Sequence, residues 1–83
     1  MFYVYIIKSQ KDNSLYIGST NDLKRRFSEH QNGESKYTSS RIPFELVYYE
    51  AFKSKIDALG RERNLKKFNK TYSELKKRLS NSL

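Results

Sequence analysis

The 83-residue chain has no cysteine, no tryptophan, one histidine, one proline and three glycines. Without cysteine there is neither a disulfide framework nor a thiolate zinc site, and one imidazole is too few for a structural metal cluster. The fold is therefore expected to rest on packing alone. A chain this short buries a smaller fraction of its surface than a larger protein, so one domain over residues 1–83 with a modest core is expected. The apolar stretch near the start, Phe2 to Ile7, is too short to cross a bilayer. It also lacks the basic leader and cleavage signal of a secretory peptide, so a cytoplasmic protein with no membrane partner is expected.

Acidic residues are scarce as well. Nine Asp and Glu stand against seventeen Lys and Arg, a formal charge of +8. Such an excess on a small chain favours a polyanionic partner, nucleic acid first, although charge alone fits a solubility role equally well. Distribution sharpens the choice: Arg61, Arg63, Lys66, Lys67, Lys70, Lys76, Lys77 and Arg78 are opposed within their segment only by Glu62 and Glu74.

What is abundant is aromatic and β-branched sequence. Phe2 to Lys8 is apolar on both alternating sets, which predicts a central strand covered on both faces. Turn chemistry at Lys11-Asp12-Asn13-Ser14, followed by Leu15 to Gly18, predicts an antiparallel hairpin in which Tyr5 and Tyr16 become neighbours. Thr20 or Asn21 is expected to cap a helix through Leu23, Phe27 and His30, with Asp22 near its positive end and Asn32-Gly33 stopping it. Glu34 to Ile42 reads as a polar loop whose Lys36 and Arg41 can reach phosphates. After Pro43, Phe44 to Glu50 predicts a third strand, with Phe44, Leu46 and Tyr48 alternating against Glu45, Val47 and Tyr49. Ser54 is expected to cap a second helix carrying Ile56, Leu59, Leu65 and Phe68, continued by Tyr72, Leu75 and Leu79, with Gly60 as a kink or a close-packing point. The sum is an α/β (α+β) domain of order β-β-α-β-α, an antiparallel sheet flanked by helices.

Two helical faces carry polar residues where apolar ones belong. At about 100° per residue, Leu23, Phe27 and His30 lie within roughly 60° of one another, and Arg26 borders them. On the second helix, with Leu59 as zero, Glu62 falls near about −60°, between Ile56 at about +60° and Leu65 at about −120°. A lone carboxylate there would cost several kcal/mol, on the order of the penalty for unpaired buried charge, unless something compensates it. A salt bridge to Arg26 or Arg61 would do so. A magnesium ion would also, since it takes one or two carboxylates and completes its shell with water and substrate phosphate. No second acid accompanies Glu62 at helical spacing, which favours one metal over two. Taken singly, the seven tyrosines read as packing residues and His30 as a helix-end or core histidine. Their combination with Arg26 and Glu62 points to a site.

In chain order, Tyr3-Val4-Tyr5, Tyr16-Ile17-Gly18, Asn21-Asp22-Leu23, Arg26, His30 and Ala58-Leu59 through Glu62 resemble the motif set of the GIY-YIG nuclease superfamily over nearly the whole chain. Tyr37-Thr38, Arg41 with Pro43, Leu46-Val47-Tyr48-Tyr49-Glu50 and Arg61-Glu62 with Leu65-Lys66 resemble, more narrowly, its small stand-alone bacterial members, the YhbQ/YazA-like group. The resemblance implies a three-stranded antiparallel sheet with flanking helices. It also implies cleavage of DNA phosphodiesters with magnesium or manganese, in repair or recombination. By position it makes Tyr5 and Tyr16 the motif tyrosines, Arg26 the phosphate-binding arginine, His30 the helix residue near the nucleophile and Glu62 the metal ligand, with Gly18 permitting close approach. Two positions depart from the pattern: Tyr3 stands where the family name has glycine, and Ser19 where some repair nucleases carry lysine.

Two other classes of function compete. A non-catalytic nucleic-acid-binding module would use Lys24, Arg25, Lys36, Arg41 and the basic C-terminal segment as phosphate contacts, but it has no need of an inward acid, which repels phosphate. A protein-interaction adaptor would dock through exposed aromatics such as Tyr37, Tyr49 or Phe52.

Overall fold

Val4, Tyr5, Ile6 and Ile7 are all buried, because the strand that carries them, β1 (Phe2–Ser9), is sandwiched on both faces and paired on both edges. A computed structural model describes residues 1–67 and 70–83. β1 lies between β2 (Leu15–Thr20) and β3 (Phe44–Phe52), antiparallel to both. The expected central strand and hairpin are both present. Asn13 adopts φ 64° in the connecting turn, and Asp12 accepts from the backbone and hydroxyl of Ser14, a side-chain substitute for a backbone turn bond.

α1 (Leu23–Gln31) covers one face of the sheet; α2 (Lys55–Lys66) and α3 (Lys70–Arg78) cover the other. The cap of α1 is Asp22, one residue beyond the expected Thr20 or Asn21, and its carboxylate accepts from the Arg25 amide at 3.1 Å. The fold class stands as expected, but the C-terminal helical sequence forms two helices, so the order is β-β-α-β-α-α. A straight continuation would carry Tyr72 about 10 Å along the axis beyond Leu65. As separate helices, both Tyr72 and Leu75 enter the core that Leu65 shares with Val4, Ile6 and Ala58. Burial of such side chains stabilises the fold by about 1.5–3 kcal/mol each. Phe68, expected on the same face, lies outside the described residues.

Three local expectations are corrected. α2 runs through Gly60 without interruption, and the space over that residue is open, so it neither kinks the helix nor allows close packing. Ile56 and Leu59 are 81% and 39% exposed. The inward stripe of α2 is instead Ala58, Glu62 and Leu65, with Ala58 and Leu65 buried in the core; beside it Arg61 pairs with the Glu50 carboxylate at 2.9 Å, and the Tyr48 hydroxyl donates to the same group at 2.8 Å. Glu62 thus faces inward between Ala58 and Leu65. In β3, the pairing shifts between Ile6 and Ile7, placing two residues of β3 against one step of β1. That bulge puts Val47 and Tyr48 on one face and Leu46 and Tyr49 on the other, breaking the simple alternation.

Among the described residues no helix is long and apolar enough to cross a membrane.

Candidate active site

The site begins with a missing side chain. Gly18 on β2 pairs with Tyr5 on β1, and a Cβ at residue 18 would stand 2.3 Å from the Tyr5 hydroxyl and 2.5 Å from Cζ. Gly18 therefore makes room for the Tyr5 phenol to lie across the edge strand. The close approach expected at this glycine is made by the protein's own tyrosine. Gly18→Ala should push the ring aside and lower stability by about 1–3 kcal/mol, the usual cost of overpacking. Urea unfolding, together with a shift of the His30 ring resonances, checks this outcome.

The displaced ring would lose a specific partner. The Tyr5 hydroxyl lies 2.9 Å from His30 Nε2, and Nδ1 of that ring lies 2.7 Å from Thr38 Oγ1. All three side chains are buried. Burial pushes the Tyr5 phenol above its usual range, with the Arg26 guanidinium pulling the other way. Burial and then Arg26 push His30 below the usual imidazole range, so at neutral pH the ring is uncharged. Arg26 can only donate hydrogen bonds. Its position beside Tyr5 therefore directs the phenolic proton toward His30 Nε2 and leaves Nδ1–H to donate to Thr38.

Thr38 is held beneath His30 by a structured loop. Its amide and that of Ser39 both bond to the Ser35 carbonyl, and a 3-10 turn, Ser39–Arg41, follows. Buried Ser9 donates to the Arg41 carbonyl at 2.6 Å, Arg41 pairs with Asp12, and the Gln31 side chain accepts from the Phe44 amide at 2.6 Å. The loop is thereby tied to the hairpin turn and to the end of α1. The polar loop expected here is mostly exposed, and through buried Ser35 and Thr38 it also supports the imidazole.

Arg26 is anchored by Glu29 at 3.0 Å, which also raises its basicity. Tyr16 pairs with Ile7 rather than Tyr5, one step along the same face. Its ring packs edge-on against Phe44, and its hydroxyl has no hydrogen-bond partner among the described residues. Glu62 reaches the same region from the opposite face, around the edge formed by β2. Its carboxylate accepts from Ser19 at 3.0 Å and pairs with Lys66 at 2.9 Å. Neither Arg26 nor Arg61, the cations that sequence suggested for it, is its partner.

Tyr5, Tyr16, Arg26, His30 and Glu62 all line one cavity of about 550 Å³, together with Ser19, Thr38 and Lys66. Thr38, Ser19 and Lys66 are the contributors that residue-by-residue reading did not place there. Lys66 stands one helical turn from Glu62, which is the one signal that could have found it. The four basic residues expected to hold phosphates lie outside this cavity. Lys24 and Arg25 border neighbouring hollows on either side of α1, Lys36 is exposed on the loop, and Arg41 is engaged by Asp12. The three aromatics considered for docking form no common patch: Tyr37 lies at the mouth of the cavity, Tyr49 faces α1, and Phe52 packs into the core on the far side.

Among the described residues no three His, Cys, Asp or Glu side chains cluster as a metal cage. A divalent hard cation nevertheless suits the donor set, because magnesium takes one or two carboxylates and completes its shell with water and phosphate, and Glu62 lines the cavity.

A three-stranded antiparallel sheet with flanking helices, carrying two phenols, an arginine, a buried imidazole and a lone glutamate around one edge, is a GIY-YIG-like fold. Residues 1–80 match the GIY-YIG catalytic domain, and the chain belongs to that family. It is 49% identical over 71 residues to the UPF0213 protein CPE1444 of Clostridium perfringens, covering 84% of this chain and 75% of that protein. It is 42% identical over 74 residues to the UPF0213 protein YazA of Bacillus subtilis, covering 88% and 74%. The solution NMR structure of the UPF0213 protein BH0048 from Bacillus halodurans superposes with a TM-score of 0.56 at 40% identity, covering 90% of this chain and 81% of that one.

Proposed function

We propose that this protein is a divalent-metal-dependent endonuclease that hydrolyses phosphodiester bonds of DNA. The observation that carries the reading is the convergence of Tyr5, Tyr16, Arg26, His30 and Glu62 on one cavity. Arg26 donates to the scissile phosphate and stabilises the charge that develops on its oxygens. Tyr16, whose hydroxyl has no hydrogen-bond partner among the described residues, positions the attacking water. The proton leaves that water into a coupled group made of Tyr16, Tyr5 and neutral His30. Thr38 fixes the imidazole tautomer in which Nε2 accepts from the Tyr5 hydroxyl, so the proton reaches the imidazole through that phenol. Glu62 would hold the metal, magnesium or manganese, which when bound supplies Lewis-acid stabilisation of phosphate charge. Ser19 orients the carboxylate, and Lys66 offsets its charge against the phosphate path.

Lys24, Arg25 and Lys36 serve as outlying phosphate contacts; Arg41, with Asp12 as its partner, serves the fold. Repair or recombination is the setting such chemistry suits. The test is a cleavage screen over single-stranded, duplex, flap and branched DNA and matching RNA, with magnesium, manganese or chelator. Cleavage that chelator stops supports the proposal. Binding that survives chelator with no cleavage under either metal favours the non-catalytic module.

A further inference from the structure

Beside the catalytic cavity, the same sheet face carries a second hollow of about 580 Å³ in which no member of the catalytic set takes part. Its walls are Tyr3 and Tyr49, its floor includes Phe27 and Leu46, and Lys24 and Asn21 stand at the rim. We propose that this hollow stacks an unpaired nucleobase of the strand being cut. The proposal rests on the nuclease reading above and names the kind of substrate that site takes.

Strand geometry sets the distance between the two sites. Tyr3 and Tyr5 share one face of β1 two residues apart, roughly 7 Å, on the order of the reach of one nucleotide. Tyr49 sits opposite Tyr5, and the bulge in β3 is what turns it onto this face. Ala51 sits opposite Tyr3, which is half-buried. The rings of Tyr3 and Tyr49 meet edge to face, with centroids 6.1 Å apart and planes at 65°, and Tyr49 is 53% exposed. A planar base can lie flat on one ring with its edge toward the other, both favourable aromatic arrangements.

Charge favours a nucleotide over an apolar peptide. Lys24 has no ion-pair partner among the described residues, and the net charge is +8. The one acid at the rim, Asp22, is committed to capping α1. An aromatic platform with an unpaired cation beside it is the combination used to hold single strands, stacking for the base and lysine for the phosphate. A fully paired base has both faces covered by its neighbours and cannot enter. Strands with an unpaired nucleotide next to the scissile phosphate, as in single strands and flaps, should therefore be held in preference to continuous duplex.

Fluorescence anisotropy in chelator separates this site from catalysis. The probes are a single-stranded oligodeoxynucleotide, its RNA counterpart and a fully paired duplex, with wild type, Tyr49→Thr and Tyr49→Phe. Tyr49→Thr should weaken single-strand binding by about tenfold, as loss of one stacking platform does, and leave duplex binding within about twofold. Tyr49→Phe, which keeps the ring, should bind like wild type. The RNA strand should lose as much as the DNA strand, since stacking does not involve the sugar; a loss confined to one sugar would overturn the proposal. Unchanged single-strand binding by Tyr49→Thr and by Tyr3→Thr would also overturn it, and would leave Tyr49 to protein docking. Should wild type neither bind nor cut any nucleic acid, the nuclease reading fails. Should it cut while Tyr49→Thr binds as wild type does, only the stacking site fails.

Discussion

Glu62→Gln should reduce metal-dependent cleavage on the order of a thousandfold and leave DNA binding in chelator at least as strong as in wild type. The substitution keeps shape and removes charge. The amide oxygen can still accept from Ser19, which bonds Glu62 at 3.0 Å, so the edge of the sheet and the inward phase of α2 are retained. What is lost is the one carboxylate that lines the cavity among the described residues, the proposed metal ligand. Lewis-acid stabilisation is worth several kcal/mol of transition-state charge, and each 1.36 kcal/mol is about tenfold in rate. Binding responds in the opposite sense, because an acid beside the phosphate path repels DNA. The two readouts together exclude simple unfolding as the cause. Activity within about tenfold of wild type would remove Glu62 from the mechanism.

Arg26→Ala should lower kcat by about 10²–10³-fold, the usual cost of removing one preorganised donor from developing charge. Arg26→Lys should recover part of this, since a point charge remains but the planar fork is gone. Arg26 has a second role that a merely structural residue would not share. Its charge lowers the basicity of His30 and steadies the Tyr5 phenolate. Its removal should therefore raise the pKa of His30, measured by NMR titration of the ring in Arg26→Ala against wild type. The sign extends to stability. His30 is held below its ordinary range in the folded state, so its contribution is fully present above the unfolded imidazole value near about 6.5 and is lost as pH falls through the depressed one. An unchanged His30 titration would show that the guanidinium does not act on the imidazole.

The sheet and α1 were legible in the sequence because their cause is periodic. β1 is apolar on both alternating sets from Phe2 to Ile7, which calls for a central place in the sheet. Leu23, Phe27 and His30 share a face because of the 3.6-residue repeat, and α1 brings them to the sheet as that repeat requires. Elsewhere the cause is not periodic. The bulge in β3 is a pairing event between two strands, so alternation alone misplaces Tyr48. The phase of α2 puts Ala58 and Leu65 in the core and leaves Ile56 and Leu59 exposed, which the larger apolar residues alone do not foretell.

The site divides in the same way. Tyr5, Tyr16, Arg26, His30 and Glu62 were visible as a constellation, and each lines the cavity. Thr38 was not visible, because a polar residue in a polar loop has no pattern to betray its burial. It becomes significant only once Ser9, Gln31 and Arg41 are seen to tie that loop down. Ser19, noted in the sequence as the loss of a helpful cation, donates to Glu62, and Lys66 supplies a cation from the next turn of α2.

The central claim is that one metal-binding carboxylate and four other functional side chains from distant parts of the chain surround a common cavity. Substoichiometric manganese added to isotope-labelled protein tests it directly, because paramagnetic broadening reports proximity to the bound ion without any need for turnover. Broadening centred on Ser19, Glu62 and Lys66 and extending to the side chains of Tyr5, Tyr16 and Arg26, abolished in Glu62→Gln, is the expected result. Broadening that is centred elsewhere, or that persists unchanged in Glu62→Gln, would contradict it.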